Sequence, residues 1–100
     1  MEILFLYRRL FLTAQKQLES LRRLNLGELE RLTRYRETVT QEISQQLFAI
    51  RRTGVLPPFS PSVKRKIQEM THETLVLDSQ IKNLLLHELE TRTQDVEPKP

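Results

Sequence analysis

The residues that break helices are confined to three places in this chain, and that placement decides what it can fold into. Its two glycines and five prolines fall at Gly27, within the stretch TGVLPPFSPS, and in the terminal PKP. Everything between is free of Pro and Gly and rich in Leu, Glu, Arg and Gln, the composition of helix rather than sheet. Each uninterrupted stretch repeats apolar residues at steps of three and four, the period of one helix face. The first stretch carries Leu4, Tyr7, Phe11, Ala14, Leu18 and Leu21. The second carries Leu29, Leu32, Arg36, Val39, Ile43, Gln46 and Ile50, and the third Val63, Ile67, Met70, Thr74, Leu77, Ile81 and Leu84. Three helices are expected, over about residues 2–24, 28–53 and 61–92, with a polar, disordered tail at 93–100. Short connections turn consecutive helices antiparallel, so the expected fold is all-α: an antiparallel three-helix bundle forming a single domain over residues 1–92.

The first connection allows two readings. Gly27 can take the left-handed backbone that ends a helix, whereas Asn25 can cap the next one, with Glu28 at the capping-box offset and Leu24 and Leu29 as a hydrophobic staple. At the second connection Ser60 and Pro61 read as the cap and first residue of the third helix.

The opening ILFLYRRLFL is dense in apolar residues. Arg8 and Arg9 hold its apolar run far below the roughly 20 residues of a membrane span. No positive charge precedes the run, as a signal peptide requires. It reads instead as an amphipathic helix start. The formal charge of +3 is spread along the chain. The clusters Arg8–Arg9, Arg22–Arg23, Arg51–Arg52 and Lys64–Lys66 stand on different turns, so no nucleic-acid partner is expected. Without Cys there are no disulfides or thiolate metal sites. His72 and His87 are each followed by Glu, but Val76 and Thr91 stand where HExxH needs its second His. No phosphate-binding glycine loop and no nucleophile–base pair can be assembled, so neither an enzyme nor a metal or other cofactor is expected. The Asp-x-x-x-Leu-x-x-Leu-x-x-Arg spacing of the helical chorismate mutases is absent.

Two features stand outside the seams. Phe5 and Leu12 lie opposite the first seam, and Leu75, Leu86 and Leu89 lie well off the third. Helices with two neighbours bury two stripes, which would absorb these residues. The other reading leaves them as surface for a partner helix, from a second copy or from a different protein. Arg36, placed in a seam, needs a carboxylate or a route to water. A fold-back around the second connection sets it opposite about residues 78–80, which makes Asp78 its candidate partner.

The segment LNLGELERLTRYRETVTQEI, with Gly27, Glu28, Leu29, Leu32, Arg36, Glu37 and Val39, resembles the second-helix entry of bacterial flagellar export chaperones of the FliT and FlgN type. LVLDSQIKNLLLHELE is similar to their later helix, and the likeness spans most of the chain. The resemblance implies a cytoplasmic, non-enzymatic chaperone of flagellar type III export. Such a protein shields an amphipathic helix of a late substrate, of filament-cap or hook-junction type, and hands it to the export apparatus. The expected partner-binding residues are then Phe5, Leu12, Leu75, Leu86 and Leu89. FliT-type members carry a fourth helix, which is not expected here after Arg92. The rival reading is a homodimeric helical-bundle interaction module without chaperone activity.

Overall fold

The computed structural model describes the backbone over residues 3–53 and 60–96 and the side chains over 3–52 and 60–91. It is an all-α three-helix bundle, about 64 Å long and 23 by 22 Å across, of α1 (Ile3–Arg22), α2 (Leu26–Thr53) and α3 (Pro61–Val96). The helix predicted to stop near Arg92 continues through Val96, so residues 93–96 are helical rather than a disordered tail. Nothing in their sequence breaks a helix, and the first proline beyond is Pro98. Residues 97–100 and most of the second connection, 54–59, lie outside the described residues.

The turn between α1 and α2 settles the choice between Gly27 and Asn25. Leu24 takes the left-handed conformation, with φ of 57°. Its N–H donates to the Leu21 carbonyl, and the Asn25 N–H donates to Ser20, the paired bonds of a Schellman ending. Asn25 then caps α2: its Oδ1 accepts from the Glu28 N–H at 3.2 Å while its amide donates to Glu28 Oε2 at 3.1 Å. Gly27 lies inside the first turn of α2 and terminates nothing. A leucine in the left-handed region carries a steric cost of about 1 kcal/mol that glycine escapes. Leu24 is also exposed, so little packing opposes its removal. Leu24→Gly is therefore expected to stabilise the chain by about 1 kcal/mol, read as a raised urea midpoint with an unchanged slope; a lowered midpoint would show that the Leu24 side chain contributes more than its backbone costs.

Ser60 caps α3 as expected, its Oγ accepting from the Val63 N–H and its carbonyl from Lys64.

α1 packs against both α2 and α3. Its buried face overlaps the predicted seam at Ala14, Leu18 and Leu21 but is rotated from it. Ile3, Leu6, Ala14, Leu18 and Leu21 are buried, along with the polar Thr13, Gln17 and Ser20, whereas Leu4, Tyr7 and Phe11 are half-buried. The reason is that α1 faces two helices at once. The centre of its buried stripe falls between them, rotated from the three-four seam and across polar positions. Leu6 forms the tightest cluster with Val39 and Ile43, against which Tyr7, Leu10 and Leu47 pack. The flanks of α1 are thinner: among the described side chains of α3, Thr74 alone is fully buried.

Candidate functional site

α2 and α3 do not close on each other. Among the described residues none of their α-carbons approach within 8 Å, although both lie against α1. Packed helices sit 8–10 Å apart axis to axis, a distance that brings α-carbons closer than that. A cleft therefore runs between α2 and α3, with α1 beneath it as the floor.

Arg36 and Asp78 span this cleft. Arg36 Nη1 donates to Asp78 Oδ1 at 2.6 Å and Nη2 to Oδ2 at 2.7 Å, the bidentate fork that suits a carboxylate. Nη1 also donates to Gln17 Oε1 at 3.0 Å, and Gln17 Nε2 donates to the Thr33 hydroxyl at 3.1 Å. That hydroxyl donates in turn to the Leu29 carbonyl. One residue of α1, two of α2 and one of α3 thus build a connected polar floor. In that floor Gln17 is buried and Thr33 exposed, while the Arg36 and Asp78 side chains between them are 23% and 34% exposed. A depression lined by Gln17, Thr33, Arg36, Glu37, Thr40 and Gln41 opens beside it.

The ion pair also sets the register of the walls. Because α2 and α3 run antiparallel, moving from Arg36 toward Leu26 corresponds to moving from Asp78 toward residue 88. Leu26 therefore stands level with Leu86 and Leu89, and Phe48 lies near the opposite end of the cleft. Leu75, Leu86 and Leu89 fall on the face of α3 that carries Asp78, within about one quarter-turn of it. All are exposed: Leu75 is 59%, Leu89 61% and Phe48 66% accessible, with Leu26 and Leu86 near half. The cleft is thus apolar at both ends and polar in the middle.

Phe5 and Leu12 are exposed too, but on the other side of the molecule. Leu12 lines both the groove between α1 and α3, with Leu4, Phe11 and Met70, and the groove between α1 and α2, with Leu32 and Tyr35. It therefore rides the outer ridge of α1. Arg9 stacks over the Phe5 ring at 4.7 Å and donates to the Tyr35 hydroxyl. The structure brings Leu75, Leu86, Leu89, Arg36 and Asp78 together and sets Phe5 and Leu12 apart from them.

Sequence reasoning missed Gln17, Thr33, Phe48 and Leu26. Gln17 and Thr33 read as surface polar residues, although each could have been suspected once Arg36 was placed inward and required company. Phe48 was detectable as a large aromatic standing about 100° from Leu47 and outside the α2 seam.

Both histidines are exposed, and among the described residues no three His, Cys, Asp or Glu side chains converge as a metal site. Among those residues no helix is long and apolar enough to cross a membrane. No protein-family model, curated protein or solved structure matches the chain.

Proposed function

We propose that the chain is a helix-binding chaperone of flagellar type III export, whose α2–α3 cleft shields an amphipathic helix of a late substrate in the cytoplasm until the export apparatus receives it. One observation carries the reading: α2 and α3 stand too far apart to pack, and the walls between them present Phe48, Leu75, Leu86 and Leu89 to solvent. A bundle with one open side and apolar lips accepts a helix in the place where a fourth would stand. The resemblance of Leu24–Ile43 and of α3 to FliT- and FlgN-type chaperones supplies the biological setting.

The test is a calorimetric titration with the C-terminal helical segment of a filament-cap or hook-junction protein from the same genome. Saturable one-to-one binding is expected. Leu75→Glu should weaken it at least tenfold, because a carboxylate would face the docked apolar surface, whereas Leu12→Glu on the far ridge should leave it unchanged. Equal weakening by both variants would remove the cleft from the reading. Sedimentation of the chain alone tests the rival: a dimer that Leu75→Glu dissociates would mean that a second copy fills the cleft.

A further inference from the structure

The proposed cleft is not uniformly apolar, and its polar middle restricts what can lie in it. A guanidinium carries five N–H donors. In Arg36 three of them are engaged, two with Asp78 and one with Gln17. Two more N–H groups, and spare lone pairs on Asp78, remain on side chains that are 23% and 34% exposed, where water can serve them. A docked helix would expel that water, and any group left without a partner would carry its full desolvation penalty. The floor is also balanced in charge, since Arg36 and Asp78 neutralise each other. A carboxylate or ammonium brought over it would arrive as a third, uncompensated charge in a water-poor site.

Resting on the docking function proposed above, we propose that the cleft selects a helix bearing an uncharged hydrogen-bonding side chain, an amide or hydroxyl, between two apolar clusters and nearer to one of them. An amide offers both a donor for Asp78 and an acceptor for Arg36. The spacing comes from the walls. Leu75 stands three residues, about 4.5 Å, to one side of Asp78, and Leu86 eight residues, about 12 Å, to the other. A helix lying alongside must place its own apolar groups about three turns apart, with the polar residue between them over the ion pair. A single polar position among apolar ones is a register device: it fixes one alignment because every slipped alignment buries the polar group against leucine.

The experiment uses four synthetic 22-residue amphipathic helices, identical except that the one position set to lie over the ion pair, about three residues from one apolar cluster and eight from the other, is Gln, Leu, Glu or Lys. Binding to the full chain is read by fluorescence anisotropy. On the wild-type chain the Gln peptide is expected to bind about tenfold more tightly than the Leu peptide, and more tightly than either charged one. On the double variant R36M/D78L, whose floor is apolar, the order should reverse in favour of Leu. A Leu, Glu or Lys peptide that equals or exceeds Gln on the wild-type chain would overturn the inference while leaving a docking cleft. Failure of all four to bind would overturn the docking function itself. Circular dichroism checks that R36M/D78L folds; if it does not, the wild-type series decides alone.

Discussion

Leu6→Ala is expected to destabilise the chain by about 3 kcal/mol, the ordinary range for truncating a leucine in a well-packed site being about 2–5 kcal/mol. Leu6 is 1% exposed, and no other large side chain among the described residues is as fully enclosed. It closes the contact of α1 with α2 through Val39 and Ile43, where Tyr7, Leu10 and Leu47 complete the packing. The neighbours are long helices anchored along their length, so they cannot collapse into the vacated space, and the cavity term adds to the lost transfer term. For a domain of this size such a loss lowers the melting temperature by roughly 12–24 °C. Thermal unfolding by circular dichroism measures it. A shift of only a few degrees would mean that the bundle does not depend on this cluster. The expected effect is large because the rest of the interior is sparse: α3 contributes no fully buried apolar side chain among its described residues.

The same sparseness explains what could be read from the sequence. The three helices followed from their apolar period, the second break from its prolines, and the start of α2 from the Asn25 cap, whereas Gly27 proved to lie inside α2. Of the two readings open for Arg36, a route to water or a pair with Asp78, the structure shows the pair. An arginine in an apolar seam demands a partner, and the fold-back of two helices leaves few candidates at its level. Three other features were hidden, each for a physical reason. The buried face of α1 shares Ala14, Leu18 and Leu21 with the expected seam but is rotated from it, because apolar residues cover most of the helix circumference. Ile3 and Leu6 compete there with Leu4, Tyr7 and Phe11, and only the positions of two neighbours decide between them. The left-handed Leu24 was hidden because its side chain carries no mark of its backbone angle. The separation of α2 from α3 depends on what α1 inserts between them, and no local pattern in either helix records it. Phe5, Leu12, Leu75, Leu86 and Leu89 were singled out as one surplus of apolar surface, and each is exposed. Their division between the cleft and the outer ridge of α1 is again a matter of helix placement.

Asp78→Ala is expected to cost about 2 kcal/mol, more than the removal of both partners together. The single change strands a guanidinium that is 23% exposed, with Gln17 as its remaining side-chain acceptor. Breaking a fully buried pair this way costs about 3–5 kcal/mol, and an exposed pair less than about 1, so a partly covered one falls between. In R36M/D78L neither charge remains. Met fills about the volume of Arg, the larger Leu has the open cleft to extend into, and the lost Coulomb attraction is offset by the desolvation no longer required. The double variant should therefore lie within about 1 kcal/mol of the wild-type chain, and a double-mutant cycle closed by the single changes Arg36→Met and Asp78→Leu is expected to give a coupling energy of at least about 1 kcal/mol. Urea unfolding of Asp78→Ala, the two single variants of the cycle and the double variant measures these. If Asp78→Ala is as mild as the double change, water already solvates Arg36 in the open cleft. A large coupling energy means that the ion pair ties the two walls at a level where their backbones do not meet. That tie is what would hold the cleft at one width, giving an incoming helix a formed site rather than one it must assemble, and a preformed site spares the ordering cost of binding.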